Sequence, residues 1–293
     1  AGPGLEDSIG DLLRIRSRAD RPVLVSTDTA FGTLMDSGLE PEIFVSIDAQ
    51  SVSSAHVMHT LPPSMTVILD ICGNPDIARR AVDCGCNLIF TAGGHPLARH
   101  AAGYSRLPVL DTSSGTVTIA AMHAAYSLGC TGVSVAGADY AYTGGKPYAR
   151  GTYLADLFGA ASSRLVPAES RYSGLMFRTP VTREISAGRI SYRTETLDRY
   201  ASASRVIVPP APWTAADFCL FPANDFFAEY LDAIALLKSG QNRRGPVIGT
   251  LLPFLAWYGR QSRYGIASSG TASRTAGGIE LALDLIAGYT AIS

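Results

Sequence analysis

The sequence carries little charge and almost no net charge. Charged residues make up 17% of the 293 residues, and the formal net charge is −1. A chain of this kind has no strong field to draw it to nucleic acid or to an anionic lipid surface. We therefore expect neither of these as a partner.

Long apolar runs are also missing. No stretch reaches the ~18 apolar residues that a membrane-spanning helix requires. The opening residues, AGPGLEDSIG, lack the basic-then-apolar order of a secretory signal. We expect a cytoplasmic protein with no membrane span.

Cysteine is scarce, and its number is odd. The five cysteines are Cys72, Cys84, Cys86, Cys130 and Cys219. The closest two form C-x-C, which is not a zinc-finger spacing, and most of the five lie in apolar stretches. We expect reduced, buried thiols rather than disulfides or metal ligands, and we predict no metal site.

Short β-branched runs alternate with helical patterns through the first 150 residues. Five runs are hydrophobic throughout, as strands buried on both faces should be. They are Val23–Ser26, Ile43–Ile47, Thr66–Leu69, Leu88–Phe90 and Val133–Ala136. The helical patterns are Leu5–Ile15, Ala30–Ser37, Ile77–Asp83 and Thr116–Ser127. This order predicts an α/β fold with a Rossmann-like, mostly parallel sheet flanked by helices.

The alternation stops near residue 150. Residues 151–212 are rich in Ser, Arg, Tyr and Pro, which predicts an irregular excursion or lid. Residues 213–293 predict a helical C-terminal segment, with helices at Asn224–Ser239, Val247–Arg260 and Ala276–Ala287 and a stop at Ser239-Gly240. The predicted domains are therefore 1–150 for nucleotide binding, 151–212 for the excursion and 213–293 for the helices.

The glycine turn at Gly2-Pro3-Gly4 stands where a first strand of such a sheet would just have ended. A glycine turn that follows no strand has no evident purpose. Either residues upstream of Ala1 supply this strand, which we expect, or the first strand has been dispensed with.

Ligands of open parallel sheets bind beyond the carboxyl ends of the strands, so the loops there are the candidate site. Small residues dominate these loops and let backbone N–H groups approach an anion. The predicted binding residues are Gly2, Gly4, Asp28, Asp48, Gly93, Gly94, Ser113, Ser114 and Gly115. Taken singly, the glycines are as well explained by turns, and Asp28 and Asp48 by capping. Neither G-x-G-x-x-G nor a Walker A sequence occurs, so dinucleotide and P-loop sites lack support.

The most unusual segment is DYAYTGGKPYARGTY, residues 139–153. It combines four tyrosines, a Gly-Gly turn, Lys146 and Arg150, all of which suit donors to phosphate or carboxylate oxygens. The alternative is a tyrosine-rich flap that only covers the sheet.

Three blocks of this sequence resemble the MAF/MptE-like family. They are AGPGLED, VLVSTDTAFGTLMDSGLEPEIFVSIDAQ and TSSGTVTIAAMHAAYSLGCTGVSVAGADYAYTGGKPYARGT, and the resemblance covers about residues 1–153. The family includes motility-associated factors, proposed to glycosylate flagellin with nonulosonic acids, and archaeal 6-hydroxymethyl-dihydropterin pyrophosphokinases. The resemblance implies a CMP-linked sugar as donor, with a protein such as flagellin as acceptor. The alternative it implies is ATP with Mg²⁺.

The same blocks are similar to bacterial sialyltransferases that use CMP-sialic acid. That similarity implies that Gly2 and Gly4 lie near the nucleotide and that Ser113 or Ser114 approaches its phosphate. It also implies that Tyr142 and Tyr148 bind the leaving phosphate, since neutral donors can stabilise departing CMP without a metal.

Two departures from the pattern affect this interpretation. The turn is Gly2-Pro3-Gly4 where the family usually has G-P-S, which removes a hydroxyl. The sialyltransferases also use a histidine base downstream of the tyrosines, whereas all five histidines here precede Tyr140. Asp139 or Glu169 is then the candidate base, and His95 is the histidine nearest the predicted loops.

Three hypotheses follow. The first is a glycosyltransferase that moves a nonulosonic acid from CMP, with Tyr142, Tyr148 and Asp139 as catalytic residues. The second is a pterin pyrophosphokinase that uses ATP and Mg²⁺. The third is a nucleotide-binding or assembly protein without catalysis, and the C-terminal helices leave room for an oligomer.

Overall fold

The computed structural model describes residues 1–186, 188–218, 220–238, 246–265 and 271–290. The chain folds as two compact units. The first contains Ala1–Gly93 and Leu110–Trp213, and the second contains Gly94–Val109 together with the chain from Thr214 onward.

A parallel sheet forms the centre of the first unit. Its strands are β1 (Val25–Thr27), β2 (Ile43–Ser46), β3 (Thr66–Asp70) and β4 (Asn87–Thr91), in the order β1-β2-β3-β4. The helices that connect and cover them are α1 (Gly4–Arg16), α2 (Asp28–Asp36), α3 (Pro75–Asp83) and α5 (Val117–Ser127), with a short 3₁₀ helix at Ser51–His56. The predicted α/β fold is confirmed, and the four pairing strands lie within about two residues of their predicted positions.

Both faces of this sheet are buried because successive residues of β2 and β3 point to opposite sides. Phe44, Val67 and Leu69 pack into one apolar cluster with Phe31 and Ile77. Val45 and Ile68 pack into a second cluster beneath α5. Each fully buried side chain of this size contributes roughly 1.5–3 kcal/mol relative to an exposed one, so the sheet is a rigid base for its loops.

The predicted strand at Val133–Ala136 is wrong. This segment belongs to no sheet, and its backbone forms no hydrogen bond with a described residue. Val135 is 46% exposed, and a cavity separates the segment from β1. The β-branched pattern is typical of a strand, but a strand also requires a neighbour within hydrogen-bonding distance.

Residues 151–212 are more regular than the predicted excursion. They contain the helices α6 (Tyr153–Ala160), α7 (Ala168–Met176) and α8 (Glu195–Arg205) and the strands β6 (Thr182–Ser186) and β7 (Arg189–Arg193). β7 lies between β6 and β5 (Tyr142–Thr143) and pairs with both in an antiparallel sheet of order β5-β7-β6. The strands are largely exposed and therefore lack the apolar runs that revealed β1–β4. Thr152 and Thr194 cap the helices α6 and α8.

The second unit is helical, as predicted for the C-terminal segment. It contains α4 (Pro96–Tyr104), a 3₁₀ turn at Ala215–Asp217, α9 (Ala223–Lys238), α10 (Pro246–Gly265) and α11 (Thr271–Thr290). Phe226, Tyr230 and Ile234 of α9 are buried, and the Tyr230 hydroxyl lies 2.5 Å from that of Thr250. The predicted helix stop at Ser239-Gly240 lies outside the described residues.

Two further expectations concern thiols and membranes. Cys72, Cys84, Cys86 and Cys130 are half-buried rather than fully buried and form no disulfide with one another, and Cys219 lies outside the described residues. None of the described helices has the length and apolar character needed to cross a bilayer.

Candidate functional site at the carboxyl edge of the sheet

The turn at Gly2-Pro3-Gly4 is built around Asp139. The Gly2 N–H donates to the carbonyl of Gly137 over 2.7 Å, and the Gly4 N–H donates to Asp139 Oδ2 over 2.7 Å. A Cβ on Gly2 would lie 2.7 Å from Asp139 Cγ, and one on Gly4 would lie 2.5 Å from Asp139 Oδ1. The glycines are thus required by the chain's own carboxylate, which takes the anion position at the N-terminus of α1.

The residue after Asp139 is strained. Tyr140 has a φ of 46°, the left-handed region that side chains other than glycine rarely adopt. Strain of this kind costs on the order of 1–3 kcal/mol and is found preferentially at functional sites. The turn at Asp139–Tyr140 is therefore held by its surroundings, which include the bonds from α1.

A second cluster lies around Asp28, directly after β1. Asp28 is buried, accepts from the Ser46 hydroxyl over 2.8 Å and accepts from the Thr29 N–H over 2.7 Å. Burial raises the pKa of Asp28, against these hydrogen bonds and the nearby His56 and Ala1 ammonium. The Ala1 ammonium donates to Thr29 Oγ1 over 3.2 Å, and burial lowers its pKa.

His56, at the end of the 3₁₀ helix, faces this cluster. Burial lowers the pKa of His56, and the Ala1 ammonium acts in the same direction, whereas Asp28 and Asp48 oppose the shift. Its Nδ1 is buried without a hydrogen-bond partner among the described residues, and its ring meets that of Tyr153 edge-on at 5.8 Å. The imidazole is therefore held neutral, the state of a proton acceptor.

The predicted residues Asp48 and Gly93 differ in environment. Asp48 Oδ1 accepts from the Gln50 N–H over 2.9 Å, which is a capping turn. Gly93 packs so closely against the carboxylate of Asp70 that any Cβ would overlap it, and the same Cβ would lie 2.7 Å from Thr112 Oγ1. Gly93 is therefore required by packing. Gly94 belongs to the second unit, where it lines a cavity of about 650 Å³ with Arg99 and His100.

Lys146 and Arg150 in the tyrosine-rich segment are engaged by Glu6 of α1. Lys146 Nζ lies 3.0 Å from Glu6 Oε2, and the Arg150 N–H donates to Glu6 Oε1 over 2.9 Å. Partial burial works to raise the pKa of Glu6, but these two partners outweigh it, and the net shift is downward. The two cations therefore fix the segment to α1.

The segment is also anchored at its downstream end. A Cβ on Gly32 of α2 would overlap the Gly151 carbonyl oxygen, and the Thr33 hydroxyl donates to the Arg150 carbonyl over 2.6 Å. Between the anchors, Gly144 and Gly145 form an exposed tip with φ of 63° and 75°, and a Cβ on either glycine would meet no atom within 4 Å. The segment is therefore a span held at both ends, and its exposed tip is tied to β7 by the Gly144 N–H, which donates to the Ile190 carbonyl over 3.0 Å.

Tyr148 lies within electrostatic range of Tyr142, Tyr200 and Arg178. Burial raises the pKa of both Tyr142 and Tyr148, while the nearby Arg178 guanidinium acts to lower them. Tyr200 of α8 also lies close enough to Tyr148 to affect its pKa. Among the described residues, none of these hydroxyls has a hydrogen-bond partner and Arg178 has no carboxylate partner. The group offers hydroxyl donors and one guanidinium to a ligand.

This tyrosine cluster (Tyr142, Tyr148, Tyr200 and Arg178) borders the predicted loop Ser113–Gly115. Gly115 has a φ of 74°, and a Cβ there would lie 3.6 Å from the Tyr200 hydroxyl. The Ser113 N–H donates to Asp111, and the Ser114 hydroxyl accepts from the Thr116 N–H at 3.5 Å. No side chain caps α5 among the described residues, so its N-terminus faces the cluster without an anion of its own.

Sequence reasoning missed four residues of this edge. Asp70 is the last residue of β3, and Asp28 directly follows β1. The criterion that selected Asp28, an aspartate at the carboxyl end of a strand, would therefore also have selected Asp70. No pattern in the sequence marked His56 as a site residue. His95, the histidine nearest the predicted loops in sequence, instead caps α4 by accepting from the Leu97 N–H over 3.2 Å. Arg178 and Tyr200 lie in the excursion, and only the fold brings them to the loop. Glu169 is exposed in the first turn of α7.

The comparisons with known proteins now identify the family. Residues 1–145 match the model described as 6-hydroxymethylpterin diphosphokinase MptE-like. An uncharacterized protein of Treponema pallidum (strain Nichols) is 42% identical over 219 residues, which cover 74% of this chain and 76% of that protein. The chain belongs to the MptE-like family. The description of that family names a diphosphokinase.

One solved structure is also similar. The MAf glycosyltransferase from Magnetospirillum magneticum AMB-1 has a TM-score of 0.45 and 14% identity to this chain. The similarity covers 99% of this chain and 48% of that one, so the present chain spans about half of its length.

Proposed function

We propose that this chain is a nucleotide-dependent glycosyltransferase that moves a nonulosonic acid from a CMP donor to a hydroxyl acceptor such as a flagellin side chain. The observation that carries the proposal is the tyrosine cluster beside Ser113–Gly115. It combines hydroxyl donors without protein partners, an unpaired arginine among the described residues and the open N-terminus of α5. These are the groups that stabilise a departing phosphate.

The reaction is a displacement at the anomeric carbon of the sugar. The acceptor hydroxyl oxygen forms a bond to that carbon, and the bond from the carbon to the CMP phosphate oxygen breaks. The electron pair of the broken bond leaves on the phosphate oxygen, where Tyr142, Tyr148 and Arg178 donate to it. Developing charge is stabilised most where the donors are already in place before the reaction, as in a half-buried tyrosine cluster.

The acceptor's proton needs a base, and we propose His56 for this role in place of Asp139. Asp139 already accepts from Gly4 at the N-terminus of α1, whereas the His56 imidazole is kept neutral by burial. A neutral imidazole can take a proton near neutral pH. His56→Gln should then lower turnover while leaving the affinity for CMP unchanged.

The second candidate is diphosphate transfer from ATP, which the family description favours. That reaction uses Mg²⁺, and the carboxylates predicted to hold it are Asp28, Asp48 and Asp139. Each accepts hydrogen bonds from its own surroundings, and the described residues contain no group of three or more potential metal ligands. The donor set does not fit a magnesium site.

Calorimetry separates the two candidates. The wild-type chain is titrated with CMP and with ATP, each with and without Mg²⁺. CMP binding that does not depend on Mg²⁺ supports the glycosyltransferase. Mg²⁺-dependent ATP binding without CMP binding would overturn it in favour of diphosphate transfer, and binding of neither nucleotide would overturn both.

A further inference from the structure

Helix α10 of the second unit has an apolar face that is exposed. Leu252 is 58% exposed and Trp257 is 46% exposed. Pro253 and Ala256, between them in sequence, are exposed as well. Positions three or four apart lie on the same side of a helix, so these four residues form one continuous surface, the α10 face.

The opposite side of α10 is packed against its neighbours. Thr250 is buried, and its hydroxyl lies 2.5 Å from that of Tyr230 on α9. A Cβ on Gly278 of α11 would lie 2.7 Å from Leu255 Cδ2, so α11 lies directly against the helix. Residues 246–259 contain no charged side chain, so α10 is apolar on both sides. A helix of this kind is normally covered all round, which indicates a partner for the α10 face.

Positive charge is concentrated in the sequence around this helix. Residues 233–279 contain six Lys and Arg residues and no Asp or Glu. The six are Lys238, Arg243, Arg244, Arg260, Arg263 and Arg274. The net charge of −1 conceals this stretch, because acidic residues elsewhere in the chain cancel it. A small net charge therefore does not exclude an anionic partner here.

A cavity lies at one end of the α10 face. It holds about 650 Å³ and is lined by Gly249 of α10 and by Arg99 and His100 of α4. Gly249 precedes Leu252 by three residues and Pro253 by four, so it lies on the same side of the helix. Arg99 is exposed and forms no ion pair with a described residue. An unpaired guanidinium at the end of an apolar surface suits a phosphate group that is joined to an acyl chain.

We propose that α10 is an interfacial helix that binds the surface of an anionic lipid bilayer. Leu252 and Trp257 enter the boundary between headgroups and acyl chains, and Arg99 contacts a lipid phosphate at the cavity. Helices with Trp and Leu on one face and cations beside it lie in the plane of the interface in this way. A second copy of the chain is a poorer occupant, because two α10 faces placed together would bring two positive stretches together. The proposal goes beyond the proposed function and does not depend on it.

The test is sedimentation of the full chain with lipid vesicles. Vesicles that contain phosphatidylglycerol are compared with vesicles of phosphatidylcholine alone, and we expect partition to the anionic vesicles to be stronger by roughly tenfold or more. Partition should weaken between about 0.1 M and about 1 M salt, where the Debye length falls from ~10 Å to ~3 Å. Tryptophan emission should shift to shorter wavelength when anionic vesicles are added, and Trp257→Phe should lose most of that shift.

Two variants examine the apolar and the charged part separately. Leu252→Gln/Trp257→Gln changes two exposed positions, so the thermal midpoint should stay close to that of the wild type while partition falls by roughly tenfold or more. The matched control is Leu285→Gln on α11, which is 48% exposed and lies outside the α10 face, and it should bind as the wild type does. Arg99→Gln should weaken partition to the anionic vesicles by roughly fivefold and leave partition to the neutral vesicles unchanged.

Three outcomes would contradict the proposal. The first is equal partition of the wild type to anionic and neutral vesicles, or partition to neither. The second is equal partition of the wild type and the Leu252→Gln/Trp257→Gln variant to anionic vesicles. The third is a wild-type dimer in light scattering that this double variant dissociates, because a second copy would then cover the α10 face.

Discussion

The turn at Gly2-Pro3-Gly4 and the loop at Ser113–Gly115 have similar small residues and each precedes a helix, yet they differ in what faces the helix. At α1 the first amide donates to Asp139, so the anion position belongs to the protein itself. At α5 no described side chain caps the helix, and the Tyr200 hydroxyl borders the loop instead. Composition alone does not distinguish a closed helix terminus from an open one, because the distinguishing group arrives from elsewhere in the chain.

The largest effect is expected at the open loop. A Tyr142→Phe/Tyr148→Phe variant removes two hydroxyls without described partners, so the fold should be unchanged while the donors to phosphate are lost. Each hydrogen bond to a charged group contributes about 1.5–3 kcal/mol, so CMP affinity should fall by roughly a hundredfold or more in calorimetry.

The matched control is Tyr172→Phe on α7, where the ring packs against Phe158 outside the cluster. It should bind CMP as the wild type does. Unchanged CMP affinity in the double variant would show that the tyrosine cluster does not bind phosphate. The proposed functional difference between the turns at Gly2-Pro3-Gly4 and Ser113–Gly115 would then have no support.

The next effect concerns the anchor that holds the tyrosines in place. Gly32→Ala sets a Cβ against the backbone oxygen of Gly151, which cannot move aside as a side-chain tip could. Overpacking of this kind should lower the free energy of unfolding by about 1–3 kcal/mol, measured by urea denaturation.

Gly10→Ala in α1 is the control, because a Cβ there has no neighbour within 4 Å. Alanine in an open helical position should be neutral or stabilise by up to about 1 kcal/mol. Equal losses at the two glycines would show that the contact with Gly151 does not matter.

A smaller effect on stability should distinguish the turn at Gly2-Pro3-Gly4 from the loop at Ser113–Gly115. Asp139→Ala removes the acceptor at the N-terminus of α1 and should lower the free energy of unfolding by about 1 kcal/mol. Ser114→Ala at the open loop should leave stability within about 0.5 kcal/mol and weaken CMP binding instead. If Ser114→Ala destabilises the chain as much as Asp139→Ala does, the contrast between the turns is lost.

The smallest expected effect is on the pH dependence of stability, through the protonation of His56. Burial and the Ala1 ammonium lower its pKa below the ordinary 6.5, with Asp28 and Asp48 opposing. The unfolded chain then takes up the proton first, so this contribution to stability is complete above pH 6.5 and is lost as the pH falls towards the folded pKa. Asp28, whose pKa is raised, has the opposite effect, because its contribution to stability increases as the pH falls.

His56→Gln should therefore flatten the decline in urea midpoint as the pH falls below about 6.5. At about pH 7.5, where the imidazole is neutral in both states, the offset between variant and wild type should be constant. Parallel declines for the two proteins across this range would contradict the role of the imidazole.

The central sheet was predictable because its strands are buried on both faces and so consist of uninterrupted apolar runs. The same logic failed at Val133–Ala136, where the apolar pattern is present but no neighbouring strand lies within reach. It failed again at β6 and β7, whose exposed faces leave no apolar run to detect.

The candidate site follows from the sequence only to the extent that parallel strands end at one edge, which brought Gly2, Asp28 and Ser113 into the prediction. Their partners were not predictable from spacing. Asp139 reaches Gly4 across 135 positions of sequence, and Tyr200 reaches Gly115 only because α8 folds back over the loop. Such contacts depend on the fold of residues 151–212, where the apolar pattern that marks strands and helices in a sequence is weak.

The exposed tip at Gly144 and Gly145 makes the tyrosine segment accessible to measurement. Because both ends of the span are fixed and a Cβ on either glycine would meet no atom within 4 Å, a small fluorophore introduced there should be accommodated without moving the anchors. A reporter at this point would sit on the same short hairpin as Tyr142 and could follow the arrival and departure of a ligand in real time.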